Sequence, residues 1–334
     1  MKRRIWSCLL AVMLLFGAAA AEEVSNSAGK AETDQTGETA IDPVPVLELP
    51  ELTRGRLVEI PVDQDSMEIS IPPKDECYLY GDGGENPTGY ADPSLTVNLG
   101  WGRIYDTNYV YARVKIASPS QLRTLLASPL KASYTTEGHK LAKRVNAVIA
   151  INGDFCGGDD VKRGALMRQG EFLRKRCNGQ LDMLVIDKAG DFHLLLNGTE
   201  KDVQALEKDA VNIFTFGPAL VADGEALYDR TRPNLAPNKP AQRMAICQTG
   251  PCEYMMITSE GPEDPGSEGL NIRQFVELVS SFKDVKQAYN LDGGSSSTMV
   301  FRKGEDNWKK INAPNNKKIR PLKDIIYFAS GWEP

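Results

Sequence analysis

Ala147-Val148-Ile149-Ala150-Ile151 is an unbroken apolar run that stops abruptly at Asn152-Gly153-Asp154. Five apolar residues with no polar alternation suit a strand buried on both faces, and a chain that holds such a strand must cover it from both sides. The same grammar recurs at Tyr289-Asn290-Leu291-Asp292-Gly293-Gly294, which passes into Ser295-Ser296-Ser297-Thr298. Asn, Asp and Gly at a strand end can simply make a turn. Two such ends also suit a pocket, because polar groups emerging from a rigid apolar scaffold are how binding sites are commonly built.

Further apolar runs set the fold class. YVYARVKI at Tyr109 to Ile116 alternates like a half-buried strand, and Met183–Asp187 with Asp191–Leu196 flank a Lys188-Ala189-Gly190 turn as a hairpin. Leu57–Val62, Met67–Ile71, Phe214–Val221, Met244–Gln248 and Tyr254–Ser259 also read as strands. Two helices are expected. Ser118-Pro119 supplies an N-cap and first turn for one reaching about Ala127. Ile272, Phe275, Val276 and Val279 fall on one face of a second, over Asn271–Phe282. The expectation is an α+β or mixed α/β fold: one catalytic domain with a mixed, strand-rich sheet and a few helices.

The N-terminus reads as an export signal over residues 1–21: Lys2, Arg3 and Arg4 precede an apolar stretch ending in small residues. That stretch is short for a bilayer span, so no stable membrane span is expected after cleavage. Residues 22–50, acidic and without aromatics, read as a disordered tether. The domain is then 51–334, with a strand-rich part at 51–108 and a core at 109–329. Losing three cations leaves 36 Lys and Arg against 45 Asp and Glu, a net charge of −9. An acidic chain does not release counterions from nucleic acid, so that class of partner is excluded. Export permits disulfides. Cys247 and Cys252, spaced around Gly250-Pro251, form one candidate pair and Cys156 with Cys177 another.

Paired glycines at Gly293-Gly294 allow backbone N–H groups to converge on an anion, and the serines add uncharged donors. A plain Gly-Ser turn satisfies the same residues. A serine nucleophile fits poorly: no G-x-S-x-G elbow occurs, and His139 and His193 are the only imidazoles.

NLDGGSSSTMV resembles the signature of the phosphodiester glycosidase family, which includes the mannose-6-phosphate uncovering enzyme. Other segments resemble that family in the same order: Ile151–Phe155, Phe216–Val221 with Asp223-Gly224, Arg243–Ile246, and Glu260-Gly261 followed by Gly269-Leu270 and the second helix. Ser295, Cys156, Cys247 and Glu260 depart from its usual residues. The resemblance implies a secreted or envelope-associated hydrolase resembling phosphodiester alpha-N-acetylglucosaminidases. It would cleave a sugar-1-phosphodiester at the anomeric carbon, on a sugar-phosphate glycan or cell-envelope polymer. Asp154, Asp292 and Glu260 are the candidate catalytic carboxylates. Arg243 is the candidate phosphate ligand, with Asn152, Gly153, Gly293, Gly294, Ser295 and Ser296 positioning substrate. No cofactor is called for, though the acidic turn Asp154–Asp160 offers ligands to Ca²⁺. A non-catalytic glycan-binding or exopolysaccharide-associated protein is the alternative, for which an exposed aromatic such as Trp101 would be the mark.

Overall fold

The computed structural model describes residues 43–61, 71–82, 84–128, 135–155, 164–230, 237–313 and 319–334. The export signal, residues 22–42 of the tether, Cys156, and the acidic turn beyond Phe155 lie outside them, as does the strand expected at Met67–Ile71 apart from Ile71.

The largest sheet has nine strands. Their spatial order is Glu225–Ala226, Ala219–Ala222, Gln287–Leu291, Arg243–Gly250, Glu253–Ser259, Thr107–Ile116, Leu95–Ile104, Pro87–Asp92 and Tyr78–Tyr80. A five-stranded sheet runs Trp308–Lys310, Met299–Arg302, Ile149–Asn152, Asp324–Phe328, Leu122–Leu126. Another five-stranded sheet contains the expected Met183–Asp187 and Phe192–Leu195 hairpin. Arg56–Leu57 and Trp332–Glu333 pair as a small ribbon.

Two fold expectations need correction. The sheets are not mixed: each strand pairing among the described residues is antiparallel. Antiparallel neighbours do not require the helical crossovers that parallel strands need. Strand accounts for 42% and helix for 13%, so the protein is mostly β and only loosely α+β. The helix expected from Ser118 to about Ala127 is a single 3-10 turn, Pro119–Gln121, followed by the strand Leu122–Leu126. The capping box is present, with Gln121 reaching back to the Ser118 amide. Leu122-Arg123-Thr124-Leu125-Leu126 is buried at every position, and a short buried run does not distinguish helix from strand by periodicity.

Alternate residues of the nine-stranded sheet feed two cores. Val97, Val114, Met244 and Ile246 face Ile149, Ile151, Ile326 and Phe328 of the five-stranded sheet. Ala245, Cys247, Met255 and Ile257 face the opposite way, onto Phe275, Val276 and Val279 of the helix Ile272–Ser281. This alternation corrects the Cys247–Cys252 pairing. Cys247 is buried against the helix, Cys252 packs against the inter-sheet core, and both are free thiols. Cys177 is a free thiol against the core of the second five-stranded sheet, and its suggested partner Cys156 lies outside the described residues. Residues 43–50, the last part of the segment read as a tether, lie along the sheet: Val44 N donates to Tyr111 Oη at 2.9 Å and Thr96 Oγ1 to the Leu47 carbonyl at 2.8 Å.

The helix Ile272–Ser281 is capped by Asn271, whose side chain accepts from the Gln274 amide at 2.9 Å. Phe275 is fully buried beneath it. Phe275→Ala is expected to lower stability by about 3–5 kcal/mol through a core cavity, and Asn271→Ala by about 1 kcal/mol. Urea denaturation checks both, and equal losses would contradict the assignment of the helix to the core.

Candidate active site

The two strand ends singled out in the sequence meet. Ile149–Asn152 belongs to the five-stranded sheet and Gln287–Leu291 to the nine-stranded one. The chain from Asp292 to Thr298 crosses between them, because Met299 pairs with Ile151. Asn152 clips the crossing. Its Nδ2 donates to the Asp292 carbonyl at 2.7 Å, its Oδ1 accepts from the Thr298 amide at 3.0 Å, and the Asp292 amide donates to the Gly153 carbonyl at 3.3 Å.

Asp154 is buried, and both its oxygens are occupied. Oδ1 accepts from the Phe216 amide at 2.9 Å; Oδ2 accepts from the Thr215 amide at 2.9 Å and from Arg168 at 3.3 Å. A third carboxylate joins from a strand the sequence reading did not include. Asp324, buried at the head of Asp324–Phe328, takes Arg168 Nε at 2.8 Å and Nη2 at 2.7 Å on Oδ2. Its Oδ1 makes no hydrogen bond among the described residues. Burial pushes the Asp324 carboxyl up to about 6 against the pull of Arg168. Gly153 exists to admit this group: a Cβ there would lie 2.6 Å from both Asp324 oxygens. The Arg168 guanidinium, stacked 4.0 Å over the Phe214 ring, also donates to the Met167 and Ile213 carbonyls.

Asp292 is half-buried and lines a cavity of about 220 Å³ with Phe216, Pro218, Arg243, Asn290 and Gly293. Burial is the main force lifting its carboxyl to about 6. The Ser296 hydroxyl and Arg320 oppose that, while Asp154 and Asp324 add to it. Arg243 is buried and donates to the carbonyls of Leu270 at 2.9 Å and Lys239 at 2.8 Å, with no carboxylate partner among the described residues. Desolvation lowers it to about 10, which still leaves it charged at neutral pH. Arg320 is exposed, reaches Ser295 Oγ at 3.4 Å and lies over the Phe155 ring at 5.6 Å.

The Gly-Ser turn differs in detail from the expected cradle. Gly294, with φ of +59°, opens a 3-10 turn over Gly294–Ser296. The amides of Gly294, Ser296 and Ser297 donate to the carbonyls of Gln242, Gly293 and Gly294. Those three donors are internal, which leaves the Gly293 and Ser295 amides for a ligand. Gly293 sits where a Cβ would come within 2.7 Å of the Gln242 carbonyl. Glu260 is not brought to this site. It lies at the end of Glu253–Ser259, two strand spacings from Gln287–Leu291, and lines a different cavity.

The structure therefore gathers Asn152, Gly153, Asp154, Asp292, Arg243 and the Gly-Ser turn, and sets Glu260 apart. The sequence reading missed Arg168, Asp324 and Arg320. Asp324 carries a legible signal, a carboxylate heading the apolar run Ile325-Ile326-Tyr327-Phe328. Arg168 and Arg320 carry none.

A mostly β domain with a carboxylate-lined cavity and donor-rich turn at a sheet crossing has relatives of known structure. The phosphodiester glycosidase family model matches residues 145–329. That is over half of the chain, and the protein belongs to this family of hydrolases acting on phosphodiester-linked sugars. The catalytic domain of zebrafish N-acetylglucosamine-1-phosphodiester alpha-N-acetylglucosaminidase, auto-inhibited by its pro-peptide, is 18% identical with a TM-score of 0.57. The alignment covers 72% of this chain and 84% of that one, and at this identity it establishes the shared fold. A hypothetical protein from Synechocystis is 14% identical, with a TM-score of 0.47 over 72% of this chain and 62% of that one. No curated protein sequence matches.

An Asp whose carboxyl is raised in the folded state binds its proton more tightly there than in the unfolded chain. Its protonated form costs the fold nothing below the unfolded value near 4, and ionisation destabilises the fold as pH rises through about 6. Asp292→Asn is therefore expected to stabilise the protein at pH 8, by on the order of 1–3 kcal/mol, and to give little gain at pH 4. Thermal unfolding of both proteins at the two pH values is the check, and a gain independent of pH would refute the electrostatic cause.

Proposed function

We propose that this protein hydrolyses a sugar-1-phosphodiester at the anomeric C–O bond, releasing free sugar and a phosphomonoester. The observation that carries the reading is the juxtaposition of Asp292 with Arg243 and Arg320, two cations without carboxylate partners among the described residues. Asp292, ionised above about pH 6, takes a proton from water as the water oxygen bonds to the anomeric carbon. The anomeric C–O bond breaks, and its electron pair stays on the phosphate oxygen. The departing phosphomonoester gains negative charge, which Arg243, Arg320 and the Gly293 and Ser295 amides stabilise. A phosphate leaves readily, so this scheme asks little of a general acid.

Asp154 accepts three hydrogen bonds, from the Thr215 and Phe216 amides and from Arg168, and we assign it a positioning role on that ground. Asp324 and Arg168 hold that arrangement from behind. We read residues 1–21 as an export signal, which places the enzyme outside the cytoplasm and makes envelope or extracellular glycans its substrates. Among the described residues, no helix is long and apolar enough to cross a membrane.

With an alkyl sugar-1-phosphate in oxygen-18 water, the label is expected in the released sugar. Label in the phosphate would overturn the reading. Asp292→Asn should lower kcat/KM by roughly 10²–10⁴-fold, and the wild-type rate should rise with pH through about 6, where Asp292 ionises. Arg320→Ala, at an exposed position, should raise KM without loss of folding.

A further inference from the structure

A second cavity, of about 200 Å³, is lined by Trp101, Asn108, Val110, Glu260, Ile311 and Asn312. Trp101 continues the row Leu95, Val97 and Leu99, which is buried between the sheets, yet it is 55% exposed. Its backbone is fixed from the opposite side. A Cβ at Gly100 would lie 2.2 Å from the Tyr111 ring, and one at Gly102 would lie 2.2 Å from Tyr109 Oη. An indole face thus stands in water on a rigid strand.

Beside it, Glu260 is held as an acceptor. Its Oε2 receives Asn108 Nδ2 at 3.0 Å and Ser267 Oγ at 2.7 Å, while Asn108 Oδ1 is in turn held by Arg103 at 2.9 Å. Glu260 Oε1 makes no hydrogen bond among the described residues. The far wall is tied to the catalytic turn, since Asn312 Nδ2 donates to the Ser297 carbonyl at 3.0 Å and its Oδ1 accepts from the Met299 amide at 2.8 Å.

We propose that this cavity is a distal subsite for an uncharged pyranose ring belonging to the glycan part of the substrate. The ring's apolar C–H face would cover the Trp101 indole, and its hydroxyls would donate to Glu260 Oε1. Among the described residues, Glu260 is the one charged group lining this cavity, whereas the first cavity is lined by both Asp292 and Arg243. Leu291, Met244, Thr258, Val110 and Trp101 lie in register on successive strands. Four strand spacings put Trp101 roughly 20 Å from the Asp292 end. A ligand touching both carries several sugar rings and is not a monosaccharide phosphate. The substrate assignment rests on the hydrolase reading above, whereas ring binding at Trp101 does not.

The test is equilibrium binding of hexasaccharides of N-acetylglucosamine, glucose, mannose and galactose, read by tryptophan emission and calorimetry on the full chain. Trp308 and Trp332 are buried, and with Trp6 replaced by Phe in every protein compared the emission change expected with at least one hexasaccharide should vanish in Trp101→Phe. Affinity should fall tenfold or more in both Trp101→Ala and Glu260→Gln, with Leu196→Ala, an exposed apolar residue beside the strand Phe192–Leu195 of another sheet, as the control. On a polymer-borne sugar phosphodiester, Trp101→Ala should raise KM at least tenfold and hold kcat within about twofold. No binding by any hexasaccharide, or wild-type affinity in Trp101→Ala, would overturn the subsite. Binding without turnover would instead overturn the hydrolase reading and leave the subsite standing.

Discussion

The side-chain amide of Asn152 holds two sheets in register at the point where the chain passes from one to the other. One donor and one acceptor on a single planar group satisfy the Asp292 carbonyl and the Thr298 amide, on either side of the Gly-Ser turn. Both partners belong to a largely buried crossing, so losing the amide would leave unsatisfied groups that cost about 1–3 kcal/mol each. The cavity, the direction of Asp292 and the tie from Ser297 to Asn312 all depend on that crossing staying fixed.

Behind the clip, two carboxylates share one buried arginine, and a third stands nearby. Arg168 neutralises Asp324 and touches Asp154, but it makes no ion pair with Asp292. Asp292 is left facing the cavity in the field of two like charges, with burial as the main force raising its carboxyl. A half-buried carboxylate outside any ion pair burdens the fold when charged, and the proposed base role rests on that feature. Arg243 and Arg320 make no carboxylate ion pair among the described residues, and the proposed phosphate contact rests on them.

Much of the architecture was legible where periodicity was long and clean. YVYARVKI, the Met183–Asp187 hairpin and the Asn271-capped helix appear where their patterns place them. The strand Leu95–Ile104 went unread because its turn, Tyr105-Asp106, takes positive φ without the Asn-Gly signal that marks such turns. Leu122–Leu126 was misread because an apolar run after a good N-cap fits a helix equally well. The Cys247–Cys252 pairing failed because spacing along a chain says nothing about which face of a sheet each thiol occupies.

The residues alone determined which groups would stand at the ends of the buried strands, since apolar runs that stop at Asn, Gly and Asp can only emerge there. They also determined an acidic chain with two histidines, a composition that disfavours nucleic-acid phosphate and a His-dependent serine nucleophile. Only the tertiary structure decided their surroundings. Asp154 and Asp292 look alike in sequence, but Thr215, Phe216 and Arg168 occupy both oxygens of the first, while the second faces a cavity beside Arg243. Glu260 and Trp101, 159 positions apart, became neighbours because antiparallel pairing brings their strand ends to one edge. A carboxylate's chemistry depends on burial and on its hydrogen-bond partners, and partners from distant strands leave no trace in local sequence.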